Sequence, residues 1–421
     1  MKQAVKKSRL GIRLQEGNRL TMPVLLNQLE NSSLPAQLDM DVIQNEPQLQ
    51  EFISDPRPGL LLYSFMTPHL PAVYREIEGI RRYKNGNLKL VAGGSHTSGD
   101  PLSSLQMGFN LAVTGAAEMG LVCLAEAFIR NTLPEIPTIL HLPELDRLDR
   151  SLPLSRLLPT SPPLEITRGC YWNCKFCQTA CRKAIHRSLE SVEIYLEALR
   201  RKGHHRRINF ICPSASEYDA GSSKKNNLSA IEELLQFFRE GGTTHLEYGI
   251  FPSETRPDRL TAEFLDLIRR YCSNQKITIG AQTGSESLLK QIRRGHTVAD
   301  IEAACEVCAA KNFQAQVDLI LGFPGETRTD RRETLALANR LASHYGARIH
   351  MHYFIPLSGT DFADASPTAL DYRTIDTIEK MEGDGISTGW WREGRRLSLE
   401  LVKVRDQLKD KAVTYQEIDW R

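Results

Sequence analysis

The sequence predicts an α/β chain with two parallel-sheet units: an N-terminal doubly wound domain, then a partial (β/α)6 barrel with a short C-terminal extension. Three observations predict it. Short apolar runs alternate with helix-period segments over residues 8–120, a proline-rich stretch interrupts them near 134–163, and six further strand–helix repeats follow. The reading divides the chain into residues 1–135, a linker at 136–160, the barrel at 161–357 and an extension at 358–421.

In the first unit "GIRL", "LDMDVI", "GLLLYSFMT", "LKLVAGG" and "NLAVTGAAE" read as strands. Between them "TMPVLLNQLEN", "PQLQEFIS", "PAVYREIEGIRRYK" and "PLSSLQMG" read as helices. Strands that alternate with helices make a parallel sheet, and a flavodoxin-like doubly wound layer is the simplest arrangement. Proline fixes φ and interrupts helices and ladders, so the stretch after this unit reads as extended linker.

Barrel strands are expected at "PLEITRG", "RINFICPS", "HLEYGIF", "KITIGAQTGS", "QVDLILGFPG" and "RIHMHYFIP". Amphipathic helices such as "LSAIEELLQFFREGG" and "LTAEFLDLIRRYC" lie between them. Six units leave a barrel open, with its active face at the strand C-termini. Beyond 358 the pattern breaks into the turn-rich "GDGISTGWWREGRR" and a terminal helix. Trp390 and Trp391 there could stack a flat molecule, but sealing the open side of the barrel is the preferred reading.

The 421 residues suit two or three domains, and 41% hydrophobic with 25% charged residues is enough for real cores without cross-links. A net charge of +2 offers no electrostatic reason for a nucleic-acid partner. Neither a signal peptide nor a membrane span is evident. Nine unevenly placed cysteines do not make a disulfide scaffold, so a reducing cytoplasm is expected.

Four of those cysteines fall in "RGCYWNCKFCQTAC". Cys170, Cys174 and Cys177 follow the first barrel strand on a segment that reads as loop and can wrap a cluster. Three thiolates on a cubane leave one iron free to bind a small molecule. Structural zinc pairs two CxxC units across a longer loop, and no second such pair follows, the later CxxC of Cys305 and Cys308 falling inside a predicted helix. Cys181 could be a fourth ligand, but if residues 182–190 begin a helix it falls beyond the wrap and reads as a packed free thiol. Cys305 and Cys308 share a helix face and read as packing thiols. His350 and His352 alternate on one strand and share a face, which makes them candidates for the substrate side.

CxxxCxxC with Phe176 before the third cysteine resembles the signature of radical S-adenosylmethionine (SAM) enzymes. The resemblance implies a 4Fe–4S cluster on Cys170, Cys174 and Cys177. It also implies SAM chelated at the open iron and reductive cleavage to a 5′-deoxyadenosyl radical. It places Ser214 and Ser216 near the SAM amino group, Arg256 at its carboxylate, and Gln282, Ser285 and Phe176 on the nucleoside side. The family's Gly-Gly-Glu form is absent after the second strand. A small-molecule substrate and a reductant such as flavodoxin or ferredoxin are implied as partners.

"VAGGSHTSGDPLSSLQMGFNLAVTGAAE" and "YSFMTPHLP" resemble stretches of cobalamin-binding domains fused to radical SAM domains. That resemblance places Ser64, Thr67, Gly93, Gly94, His96, Gly115 and Glu118 beside a corrin. The Asp-x-His-x-x-Gly motif that supplies an axial histidine is missing, which implies base-off cobalamin without that ligand. The expectation is therefore cobalamin-dependent methylation of an unactivated carbon or phosphorus centre. Two alternatives stay open: a cobalamin-independent radical SAM enzyme of ring formation or rearrangement, and a non-catalytic iron–sulfur sensor. Methylthio transfer is disfavoured, since its second cluster needs three more cysteines near the N-terminus and only Cys123 lies there.

Overall fold

The computed structural model describes residues 7–83, 86–221 and 226–420, apart from the side chains of Tyr83 and Cys181. The first unit contains β1 (Ser8–Arg13), α1 (Met22–Glu30), β2 (Leu38–Ile43), α2 (Glu46–Ser54), β3 (Gly59–Ser64) and α3 (Leu70–Tyr83). It continues through β4 (Leu88–Gly93), α4 (Ser95–Gly99), α5 (Pro101–Met107), β5 (Leu111–Thr114), α6 (Leu121–Ile129) and β6 (Thr138–His141). All of β3 is buried, as a strand covered on both faces should be.

The barrel follows with β7 (Leu164–Glu165), β8 (Thr167–Arg168), β9 (Ile185–His186), α7 (Leu189–Arg201), β10 (Arg207–Ile211), α8 (Leu228–Glu240), β11 (His245–Glu247) and α9 (Ala262–Tyr271). Then come β12 (Lys276–Gln282), α10 (Glu286–Gln291), α11 (Val298–Ala310), β13 (Gln314–Leu321), α12 (Arg328–Tyr345) and β14 (Arg348–Tyr353). The chain ends in α13 (Tyr372–Gly383), β15 (Ser387–Gly389), α14 (Trp391–Lys409) and β16 (Gln416–Asp419).

The N-terminal sheet is parallel, in the order β2-β1-β3-β4-β5-β6-β16. Its 2-1-3-4-5 portion is the flavodoxin-like order. In the barrel β7, β10 and β11 form one parallel run and β12 to β15 another. Thr255 bridges to Ile279, and Thr278 donates to the Gly249 carbonyl at 3.0 Å, so backbone bonds close the seam between the runs.

Three short strands lie where the sequence was read otherwise. β6 falls within the proline-rich stretch and pairs with β5 from Thr138 to His141. The rest of that stretch is pinned on both sides. The Glu30 carboxylate accepts from Ser155 Oγ and the amides of Arg156 and Leu157, and buried Arg187 donates to the carbonyls of Leu148 and Ser151. β15 adds a seventh strand beside β14, within the segment read as turns. β16 returns from the extension to pair with β6.

The extension therefore joins the two units. Helix α14 packs on α3, α5 and β14, and its Leu401, Val404 and Leu408 belong to the same apolar core as Leu61, Tyr63 and Leu90 of the first sheet. Trp391 lies in the barrel core, while Trp390 is 44% exposed. Truncation of a fully packed leucine removes transfer energy and leaves a cavity. Leu401→Ala should destabilise the protein by about 2–5 kcal/mol, read by chemical denaturation. A variant of wild-type stability would show that the helix is not part of the first domain's core.

Candidate functional site

β8 and β9 pair antiparallel, Thr167 with His186 and Arg168 with Ile185, and the cysteine loop is the connection between them. Gly169 starts the loop at φ +82°, and a Cβ there would overlap the Lys183 carbonyl, so the turn requires glycine. The Cys170 amide bonds to the Arg182 carbonyl at 3.0 Å, the Cys177 amide to the Cys174 carbonyl at 3.2 Å, and the Lys175 amide to the Ile292 carbonyl at 3.1 Å. The side chain of Cys181 lies outside the described residues. The helix considered for 182–190 begins only at Leu189, because 185–186 pair as β9.

The eight described cysteines form no disulfide. Burial pushes the Cys170 thiol up to about 11, helped by the neighbouring Cys177 and Cys174, and burial also raises Cys177. Thiols so placed become thiolates when a cationic centre compensates their charge. Among the described residues no three Cys, His, Asp or Glu side chains close upon a single ion. A cubane asks less convergence of them, since each thiolate meets a different iron. The donor set fits a cluster.

Arg294 runs beside these thiols. Its Nη1 lies 3.5 Å from Cys174 Sγ and its Nη2 donates to the Gly280 carbonyl at 2.7 Å. Burial works against its charge, but Cys174 and Glu254 outweigh burial and raise its pKa. Trp172, inside the loop, donates Nε1 to Glu217 at 2.9 Å, and the Arg256 guanidinium stacks 3.5 Å from its ring centroid.

Arg256 is 2% exposed, and none of its guanidinium nitrogens makes a hydrogen bond. The Asp258 carboxylate at 3.0 Å meets it outside hydrogen-bond geometry. Burial and the neighbouring Arg294 lower its pKa to about 10. A buried cation so poorly partnered is costly unless a ligand anion completes it. The hydroxyls of Ser214 and Ser216 are likewise buried without partners. Orphaned donors and acceptors at these three positions fit a bound amino-acid moiety.

The nucleoside-side candidates divide. Gln282 is buried at the end of β12 with φ +74°. Ser285 is already engaged: it caps α10 and donates to Asp330 at 2.5 Å. Phe176 packs edge-on to Phe323 at 5.3 Å, within a small cluster containing Ile292 and Phe354. His350 and His352 share a face, as read, and both approach Asp318 Oδ1, at 3.2 and 3.5 Å. Cys305 and Cys308 are buried in α11.

The corrin candidates also divide. Ser64, Gly93 and Gly94 line an apolar cavity of about 50 Å³ over the strand ends, with Leu62, Leu142 and Trp420 around it. Gly94 has φ +92°, and a Cβ there would press on the Phe65 backbone. Gly115 abuts the Leu142 carbonyl. Thr67, His96 and Glu118 are committed elsewhere. Thr67 Oγ1 meets Ser358 Oγ at 3.1 Å and His96 Nδ1 at 3.2 Å, while His96 Nε2 meets Ser103 at 2.9 Å. Glu118 accepts from Arg168 at 2.9 Å, across the domains. With both ring nitrogens engaged, His96 offers none to a metal, in keeping with the missing axial-histidine motif.

Sequence reasoning passed over Trp172, Gln178, Glu217, Glu254 and Arg294. Gln178, next to Cys177, donates Nε2 to the carbonyls of Ser358 and Ser95 at 2.8 and 3.2 Å and so ties the cysteine loop to the first domain. Arg294 is one of two adjacent arginines after α10, and only the fold shows that it is the one that turns to a thiol.

An open parallel barrel with three cysteines on the loop after its first strand is the architecture of radical SAM proteins. Residues 164–338 match the family model of the radical SAM superfamily, and the chain carries a domain of that superfamily. Curated relatives include the threonylcarbamoyladenosine tRNA methylthiotransferase MtaB of Treponema pallidum, 26% identical over 246 residues that make up 55% of this chain and 48% of that protein. Another is the tRNA-2-methylthio-N(6)-dimethylallyladenosine synthase of Shewanella woodyi, 26% identical over 46% of this chain and 41% of that one. The chain thus spans about half the length of the curated relatives it matches.

Among solved structures the fold is shared with the radical SAM methyltransferase TsrM of Kitasatospora setae, bound to tryptophan and a SAM analogue. The TM-score is 0.60 at 16% identity, over 86% of this chain and 76% of that one. The cobalamin-dependent SAM radical enzyme OxsB matches with a TM-score of 0.56 at 14% identity, over 90% of this chain and 56% of that one. Both likenesses extend across the two units, so the fold is shared over both. No helix of the described residues is long and apolar enough to cross a membrane.

Burial lowers the His96 pKa from 6.5 to about 4. A base depressed in the fold contributes its stability above the unfolded value and loses it as pH falls through the folded one. Stability should therefore drop between pH 6.5 and 4, by at most about 3 kcal/mol from this group. Denaturation midpoints of wild type and His96→Gln across that window check this: the variant should show a shallower decline, and parallel declines would contradict it.

Proposed function

We propose that this protein is a radical SAM enzyme that holds a 4Fe–4S cluster on Cys170, Cys174 and Cys177 and cleaves SAM to a 5′-deoxyadenosyl radical. We propose further that it methylates an unactivated carbon or phosphorus centre of a small molecule with cobalamin as methyl carrier. The observation that carries the reading is the set of unpartnered polar groups grouped with the cysteine loop: the buried Arg256 guanidinium and the Ser214 and Ser216 hydroxyls. Bound at these positions, the cluster would supply the electron for sulfonium cleavage and the corrinoid would supply the methyl group.

The chain's own residues bind and orient. Arg256 would take the SAM carboxylate, a planar fork meeting a planar anion. Ser214 and Ser216 would receive the amino group. Trp172, held by Glu217 below Arg256, fixes the height of that fork. Gln282 and Phe176 would border the nucleoside. Arg294 balances the charge of Cys174 and links it to the Gly280 carbonyl of β12. In the first domain, Ser64, Gly93 and Gly94 would receive part of the corrinoid in the apolar cavity. Thr67, His96 and Glu118 would set the edge of its site, Thr67 and His96 held against Ser358 of the extension and Glu118 against Arg168 of the barrel. A flavodoxin or ferredoxin is the proposed electron donor, and the cytoplasm the proposed compartment. The cobalamin-independent reading keeps all of this except the corrinoid.

The test is anaerobic reconstitution followed by reductant and SAM, with iron, sulfide, corrinoid and nucleoside products quantified. We expect 5′-deoxyadenosine and S-adenosylhomocysteine together. 5′-Deoxyadenosine alone would leave the cobalamin-independent enzyme, and neither product would leave a sensor. Cys170→Ala, Cys174→Ala and Cys177→Ala should each lose iron. Arg256→Ala should weaken SAM binding by about tenfold or more while retaining iron, since a charge-assisted pair is lost. Undiminished SAM affinity in that variant would overturn the assignment of Arg256.

A further inference from the structure

A parallel sheet buried on both faces is apolar on both. The barrel sheet is not. Val317, Leu319, Ile349 and Met351 face the helical layer and are fully buried. The residues between them face the barrel interior and are polar. Gly280, Asp318, His350 and Thr388 stand opposite one another in register across β12, β13, β14 and β15. Exposure rises along this row, from buried Gly280 to exposed Thr388. The stripe therefore runs from the residues that touch the cysteine loop to the open edge of the barrel.

Its charge is one-sided. A Cβ on Gly280 would overlap the Glu254 carboxylate, so the missing side chain makes room for that acid beside Asp318. Burial and Asp318 raise the Glu254 pKa, whereas His350 and His352 outweigh burial and hold Asp318 below the ordinary carboxylate value. Arg294 hydrogen-bonds Cys174 and the Gly280 carbonyl, and it offsets the charge of Glu254 only in part, since the Glu254 pKa stays raised. Asp318 Oδ1 is buried and has no partner in hydrogen-bond geometry, although both imidazoles lie within 3.5 Å of it. The imidazoles are about one-third exposed and can accept a hydrogen bond as well as donate one.

We propose that this stripe anchors the substrate, and that the substrate carries a cationic nitrogen, an ammonium or protonated nitrogen heterocycle, held between the carboxylates of Asp318 and Glu254. His350 and His352 flank that nitrogen, and Thr388 marks the side from which it enters. The proposal rests on the radical SAM reading above for the location of the reacting end, and it adds the chemical class of the substrate.

The test is calorimetric titration of the anaerobically reconstituted, SAM-loaded full chain with benzylamine hydrochloride, sodium benzoate and benzyl alcohol. Benzylammonium should bind saturably and more tightly than the other two, and Asp318→Asn should weaken it about tenfold, with iron content unchanged. Thr388→Lys, at an exposed position, places a cation on the entry side and should also weaken benzylammonium. It serves if Asp318→Asn does not fold. Preference for benzoate, equal binding in the variants, or no saturable heat from benzylamine would overturn the proposal. A wild type that takes up no iron would instead refute the function proposed above, and benzylammonium binding that depends on Asp318 would still stand by itself.

Discussion

The cysteine loop has to present three thiols without a regular element to hold them, and the structure answers by pinning both of its ends. The β8–β9 pair closes its base, with Gly169 allowing the turn that brings Cys170 under the Arg182 carbonyl. Lys175 and Gln178 tie its far side to the barrel and to the first domain. Arg168, at the foot of the loop, is shared between Glu165 of the barrel and Glu118 of the first domain. The loop is thus the place where the two domains meet, and its geometry depends on their packing as much as on its own sequence.

The same economy explains the extension. A two-domain cleft that handled a radical, as proposed, would have to exclude water and stay closed around its contents. Helix α14 supplies apolar residues to the first domain while touching β14 of the barrel, and β16 completes the first sheet at its far edge. Ser358, at the start of the extension, bonds Thr67, Gln178 and the His96 carbonyl. Polar groups that would otherwise be stranded at the domain junction satisfy one another. Among the buried polar groups that remain unsatisfied, the Arg256 guanidinium and the hydroxyls of Ser214 and Ser216 are the ones proposed to receive SAM.

Much of this was legible in the sequence, for identifiable reasons. Long apolar runs such as that of β3 carry their burial in their composition, and the cysteine spacing carries its chemistry. The alternation of strands and helices was enough to imply parallel sheets in both domains. β6, β15 and β16 were not legible because each is three or four residues long and exists only through a partner strand from elsewhere. Likewise, His96 and Glu118 read as ligand residues from their motif, yet their contacts come from Ser103 and from Arg168 of the other domain. Arg294 was hidden in a pair of arginines; only the turn after α10 decides that one meets Cys174 while its neighbour Arg293 meets Asp361 on the outside.

The central claim is that three thiolates leave one iron of a cubane for an exchangeable ligand, with Arg256 and its neighbours built to receive that ligand's amino-acid end. Mössbauer spectroscopy of the ⁵⁷Fe-reconstituted protein, recorded without and with SAM, tests it most directly. The account predicts a 4Fe–4S spectrum in which SAM changes the parameters of a single iron site and leaves the other three in place. A spectrum indifferent to SAM, or a protein that takes up no iron–sulfur cluster, would contradict it.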